Sequence, residues 1–246
     1  MPSFSIPRLH RYGPTSRFYD LVSLEGPVYR AGRVAGIRDL RLRPGDRVLD
    51  VACGTGLDFP LLAEAVGPGG RIVGVDRSTT MLKRARAKAA AGHLGQVEIR
   101  SADAADLARV TADDPPFDAA LFTYALSIID PWRQVLTDTI GRVRPGGRVV
   151  VVDLALTTGR WRWLAPLARL ACFAGGADLH RHPWEMLLAS TTHPTHQVLR
   201  GGHVQVAGGT VLGPADSPVP TTTESDPAGP DAADPESNPA RKRRSR

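Results

Sequence analysis

The stretch Arg47-Val48-Leu49-Asp50-Val51-Ala52-Cys53-Gly54-Thr55-Gly56-Leu57 limits what this chain can become more than any other. Val48, Leu49, Val51 and Ala52 make an apolar run without polar alternation, the pattern of a strand buried on both faces of a parallel sheet. Gly54 and Gly56 then turn the chain sharply into a helical pattern that starts near Asp58. Glycines at a strand end let a ligand lie against bare backbone, where a Cβ would collide with it. The helix that follows aims its free N–H groups and partial positive charge at the same place. The stretch is therefore a nucleotide-type site. The dinucleotide spacing Gly-x-Gly-x-x-Gly/Ala is broken, because Phe59 stands at the third position.

The same strand-then-helix alternation continues downstream. Arg71 to Asp76 is a second buried strand ending in an acid, about twenty residues beyond the glycines, the distance of a strand-helix-strand unit. A carboxylate at that tip accepts hydrogen bonds from ribose hydroxyls, which an apolar side chain cannot do. Ser78 or Thr79 caps a helix running through Met81 to about Ala91. Val97 to Ala104 is a third strand and its end, and Phe117 to Leu126 a fourth. A helix from Gln134 to Val143, stopped by Pro145, leads through Arg144-Pro145-Gly146-Gly147 into a fifth strand, Arg148 to Leu154. His196–Arg200 and His203–Ala207 read as a closing antiparallel pair around Gly201-Gly202.

Asp50 with Gly54 and Gly56, Asp76, Asp103 and the Arg144–Gly147 unit together resemble the ordered motifs of class I S-adenosylmethionine (SAM) methyltransferases. The resemblance covers roughly residues 12–211 and implies an α/β fold with a doubly wound, mostly parallel seven-stranded sheet. It implies SAM as cofactor, with Asp50 facing its ammonium group and the amides around Gly54 and Gly56 its carboxylate. Asp76 would hold the ribose, with Arg77 and Met81 along the adenosine; Asp103 and the Ala104 amide would read the adenine. Ala52, Thr55 and Thr123 would line the same cofactor. A turn-capping aspartate is the alternative reading of Asp103. No Asn/Asp-Pro-Pro-Tyr/Phe motif follows the fourth strand, which argues against DNA bases and glutamine amides as acceptors. Tyr12 and Tyr19 are similar to the tyrosine-bearing lid of phosphatidylethanolamine and quinone methyltransferases, which would place Tyr19 on the cofactor. The expected acceptor is accordingly a lipid or hydrophobic small molecule, a phospholipid amine first and a quinone or natural product second. No residue is singled out as catalytic; Tyr19, Tyr124 or a histidine would assist proton removal. Outside that reading, the chain would bind SAM without catalysis, or bind nucleic acid through its arginines.

The expected organisation is an N-terminal helical lid (1–40), a core (41–212) with an apolar insertion (157–190), and a disordered tail (213–246). Within the lid a helix from Pro27 to Leu40 would bury Val28, Ala31, Val34, Ala35, Ile37 and Leu40, leaving Arg30, Arg33 and Arg38 wet. The insertion, rich in Trp161, Trp163 and arginines, would be a pocket wall or a helix resting on a membrane interface. Beyond about Gly213 too few large apolar residues remain to build a core, and the basic end Arg241–Arg246 is offset by preceding acids. Net charge is +6, nearly all of it from arginine, a skew that fits genome composition better than nucleic-acid binding. Cys53 and Cys172 imply no disulfide framework and no metal cluster is evident. With no signal-peptide core and no run of ~18 apolar residues, the expected location is the cytoplasm, with possible peripheral contact at the inner membrane face.

Overall fold

A computed structural model describes residues 29–157 and 177–213. Tyr12, Tyr19, most of the apolar insertion and the tail lie outside them. The elements in chain order are α1 (Arg30–Asp39), β1 (Arg47–Val51), α2 (Phe59–Val66), β2 (Arg71–Asp76), α3 (Thr79–Ala91), β3 (Val97–Ser101) and α4 (Leu107–Val110). There follow β4 (Phe117–Thr123), α5 (Trp132–Arg142), β5 (Val143–Leu154), α6 (Pro183–Ala189), β6 (Thr192–Leu199) and β7 (Val204–Thr210).

The strands form one seven-stranded sheet in the order β3-β2-β1-β4-β5-β7-β6. β1 pairs in parallel with both β2 and β4, while β7 runs antiparallel between β5 and β6. The strand order reverses between β1 and β4, so the carboxyl ends of those strands open a crevice where doubly wound sheets take ligands. One face is covered by α5 and α6, whose Trp132, Val135, Leu136, Trp184 and Leu187 pack on Leu49, Val51, Phe122 and Val151. The other carries α1, α2 and α3, whose Ile37, Phe59, Leu62 and Leu82 pack on Val48, Leu121, Val150 and Val152.

The sequence pattern misplaces how α1 sits. Ile37 and Leu40 of the expected stripe are buried and Arg30 and Arg38 are exposed, but Ala31, Val34 and Ala35 are only half-buried, while Gly32, Gly36, Asp39 and Arg33, expected to be wet, are buried. A Cβ on Gly32 would stand 2.3 Å from the Tyr124 hydroxyl, and one on Gly36 2.4 Å from Val152 Cγ2. Bare backbone at that spacing brings the helix onto β4, β5 and β7, and close approach takes the place of side-chain burial. Asp39, at the end of α1, forms a buried ion pair with Arg148 of β5 at 2.8 Å and accepts a hydrogen bond from Thr195 of β6.

Other boundaries shift for local reasons. β4 stops at Thr123 rather than Leu126, because Tyr124 takes φ +55° and turns the chain. α5 ends at Arg142, before Pro145 can stop it; Val143 already pairs with Phe117, and the Arg144–Gly147 unit is a bulge within the β4–β5 ladder. β6 carries a second irregularity between Thr192 and Thr195, beside Pro194. The described end of the insertion, α6, buries Pro183, Trp184 and Leu187 in the core. Among the described residues no helix is long and apolar enough to cross a membrane.

Candidate active site

The glycine bend after β1 is built from left-handed residues: Ala52 (φ +56°), Gly54 (+54°) and Gly56 (+70°). Gly54 N–H donates to Asp76 at 2.9 Å, and Cys53 N–H to the Val75 carbonyl at 3.0 Å, so the bend is tied to the tip of β2. A Cβ on Gly54 would approach only Met81 Sδ, at 3.7 Å, so the bare face of the bend looks into free space. At Gly56 a Cβ would lie 2.5 Å from the Phe59 ring, which is buried between Gly56 and Gly74. Phe59 therefore fills the space that a third glycine leaves to close helix–strand packing in a dinucleotide fold. Thr55 is buried within the bend.

Asp50 is 1% exposed, and among the described residues neither of its carboxylate oxygens has a hydrogen-bond partner. Burial first, then the nearby Asp58 carboxylate, drives its pKa well above the ordinary value; Arg33 opposes this and Asp76 adds to it. A buried charge without a partner is costly. A carboxylate enclosed near a strand tip with no hydrogen-bond partner among the described residues is chemically suited to a cationic group. Asp58 is already neutralised by Arg33 at 2.7 Å, a buried pair from α1 to the start of α2. Burial likewise pushes the Cys53 thiol up, with Asp50 and Asp76 contributing, so it stays protonated and unreactive.

Asp76 accepts from Gly54 N–H and from Ser78 N–H at 2.8 Å, one on each oxygen. Each oxygen keeps a lone pair for a diol. Desolvation raises its pKa in spite of those bonds. Ser78 caps α3 through Met81 N–H, and Met81 lies buried under the bend. Asp103 caps the short turn Ala104–Asp106 through Ala105 N–H at 3.0 Å and meets Arg77 at 3.4 Å. The turn-capping geometry anticipated for Asp103 is thus present, on the same rim as Asp76, Arg77 and Ala104. Thr123 ends β4 on the side that Asp50 occupies, since Leu121 pairs with Asp50 and residues two apart share a face. Its Oγ1 is buried without a partner among the described residues.

Three features were not anticipated from sequence. Arg33 reaches Asp58 and lies 5.9 Å from the Tyr124 ring centroid. Tyr124 donates its hydroxyl hydrogen to the Tyr29 carbonyl at 2.7 Å, and the Tyr29 ring packs 5.0 Å from Tyr124 and 6.2 Å from His203. Asp153, near the end of β5, is fully buried and accepts from Ser127 N–H, Ser127 Oγ and Leu154 N–H. The one available hint for Arg33 was the spacing of Gly32 and Gly36, which marks that helix face for close approach.

Burial raises the Asp153 pKa to about 6 from 3.8, against the pull of the hydrogen bonds from Ser127, Leu154 and Leu126. A folded pKa above the unfolded one means the stabilising contribution is present below about pH 4 and lost as pH rises to about 6. The expected result for Asp153→Asn is therefore a gain of about 3 kcal/mol relative to wild type across that window. It sits on top of a fixed loss, because either orientation of the amide sets its NH2 against a backbone N–H. Denaturant midpoints of both proteins at pH 4 and pH 6.5 measure it; parallel pH profiles would show that Asp153 does not titrate there.

Residues 48–147 match the model of a methyltransferase domain family. A demethylmenaquinone methyltransferase of Bacillus cereus is 34% identical over 130 residues, 53% of this chain and 54% of that protein. The chain thus spans about half the length of the curated relatives it matches. Among solved structures, an O-methyltransferase family protein from Burkholderia thailandensis superposes with TM-score 0.59 at 22% identity, over 78% of this chain and 57% of that one. The S-adenosylmethionine-dependent methyltransferase SibL in its apo form gives TM-score 0.52 at 25% identity, over 80% and 55%. The described chain therefore has the seven-stranded, Rossmann-like architecture of the methyltransferases, and the family match falls on the half of the sheet that carries Asp50, Gly54, Asp76 and Asp103.

Proposed function

We propose that this protein transfers a methyl group from SAM to a planar, hydrophobic quinol-type acceptor. The observation that carries the cofactor is Asp50: a buried carboxylate four residues before Gly54, with neither oxygen hydrogen-bonded among the described residues. An ammonium group satisfies it and Asp76 suits a ribose, whereas the Cys53, Gly54 and Gly56 amides expected to hold the cofactor carboxylate are already bonded to Val75, Asp76 and Cys53. Bound SAM supplies a methyl group already activated as a sulfonium, so the chain's own task is alignment and exclusion of water.

For the acceptor, similarity to demethylmenaquinone methyltransferases favours a quinol over the phospholipid amine first expected. Tyr29, Tyr124 and His203 form an aromatic cluster where β4 ends and β7 begins, which suits a flat ring. Incubation with methyl-labelled SAM and either reduced demethylmenaquinone or phosphatidylethanolamine separates the two. Label is expected in the quinol; label only in the phospholipid would reverse the assignment.

The Asp76→Ala variant is expected to bind SAM about 100-fold more weakly, since two hydrogen bonds to a charged acceptor together contribute roughly 3 kcal/mol or more. Calorimetry measures it, and unchanged affinity would remove the ribose from Asp76.

A further inference from the structure

His203 stands at the start of β7, 8% exposed, with Nδ1 2.8 Å from the Ala155 carbonyl. A carbonyl only accepts, so Nδ1 carries the hydrogen, and in the neutral ring Nε2 is left as a lone-pair acceptor. Among the described residues Nε2 has no hydrogen-bond partner. The ring is held on its other side by Tyr29, which also packs on Tyr124. An imidazole with one nitrogen anchored to backbone and the other free is the arrangement of an oriented proton acceptor.

Two further groups mark the same corner as one that takes a ligand. Thr157 lies two residues beyond Ala155, and Thr123 ends β4 beside β5; both hydroxyls are buried without a partner among the described residues. The register places His203 at the open end of the sheet. Asp50 is level with Leu121, Val150 and Gly208 across β1-β4-β5-β7, and His203 lies five residues from Gly208, toward the carboxyl ends of β4 and β5 where the crevice opens.

We propose that His203 is the general base of this site, taking the hydroxyl proton of a phenol- or quinol-type acceptor through Nε2. The inference rests on the acceptor reading above. In the step, the acceptor O–H bond breaks and its electron pair stays on oxygen. The proton forms an N–H bond at Nε2, giving an imidazolium whose Nδ1–H remains on the Ala155 carbonyl. The charge of the pair is unchanged, and the electron-rich phenolate is the better nucleophile. After turnover the imidazolium returns its proton to water.

The test uses 4-nitrophenol, whose phenolate absorbs at longer wavelength than the neutral phenol. It is added to the full chain loaded with S-adenosylhomocysteine, at a pH where the free probe is mostly protonated. The wild type is expected to bind the probe as phenolate. His203→Asn, whose amide keeps the bond to the Ala155 carbonyl, is expected to bind it as neutral phenol with SAM affinity unchanged. Quinol methylation in that variant falls about 100-fold or more, the usual contribution of a positioned base. His203→Gln gives the same comparison should the asparagine variant not fold. Identical probe spectra in wild type and variant, or no probe binding to the wild type, would overturn the proposal. If the wild type shifts the probe but methylates no quinol, the base assignment stands and the acceptor reading falls.

Discussion

The Asp50→Asn variant is expected to melt at a higher temperature than the wild type in the absence of ligand, and to bind SAM about 100-fold more weakly. Both effects have one cause. Asp50 is buried with no partner for either oxygen among the described residues, and Asp58 beside it already holds Arg33. The cluster of Asp50, Asp58 and Arg33 therefore carries an uncompensated negative charge that folding must remove from water. A neutral amide of the same shape relieves that cost. It also takes away the counter-ion for an arriving ammonium, and losing one partner of a desolvated charge pair costs about 3 kcal/mol of binding.

The pH dependence follows with a definite sign. Since burial holds the Asp50 pKa above its ordinary value, a proton must leave when a cation binds at the lower end of the pH range. SAM affinity of the wild type is expected to rise with pH until that pKa is passed, with net proton release below it. Calorimetry in two buffers of different ionisation enthalpy reads the release directly. An asparagine variant that melts lower, or binds SAM as tightly as the wild type, would show that Asp50 is not the cation receptor.

The second large effect is at the opposite end of the sheet. Arg148 is buried on β5, paired with Asp39 and bonded to Thr195, and it also donates to the Asp39 carbonyl. Arg148→Ala leaves the Asp39 carboxylate buried and alone, which costs about 3–5 kcal/mol. For a domain of this size that is a fall of roughly 10 °C in melting temperature. The double variant Asp39→Leu/Arg148→Met is expected to recover most of the loss, because exchanging a buried ion pair for apolar residues of similar volume is often neutral. Its neighbour Gly208 must stay bare while the pair is in place, since a Cβ there would lie 2.1 Å from Asp39 Oδ2. Denaturant melts of the single and double variants measure the cycle; a single variant as stable as the wild type would mean that the pair contributes nothing.

What was legible in the sequence is what local pattern encodes. The core strands show as apolar runs because both their faces are covered, and the bend shows because Gly54 and Gly56 need left-handed backbone. The Asp76 tip is legible because a strand-helix-strand unit fixes its distance from the bend. The remainder depends on partners far along the chain. Arg33 reads as a surface residue until Asp58, twenty-five positions on, meets it. α1 hides its packing face because glycine has no hydropathy signal, yet it is Gly32 and Gly36 that admit the sheet. Tyr124 continues a strand pattern by propensity and ends the strand in fact, because its hydroxyl is drawn to the Tyr29 carbonyl. His203 is one of several histidines by composition, and only the Ala155 carbonyl 48 residues before it fixes which nitrogen is free.

The two rims of the sheet differ in construction and share a consequence. β6 forms one rim with Pro194, an irregular register at Thr192/Thr195 and polar side chains such as His196 and Gln197. β3 forms the other, with Glu98 and Arg100 locked to Arg71 and Asp114. A missing donor, a broken ladder and fixed charges are the devices that keep unpaired strand edges from recruiting another chain. The protein is thereby shielded from strand-by-strand polymerisation at both margins, and the strand reversal at β1 and β4 lies inside the sheet, away from either edge.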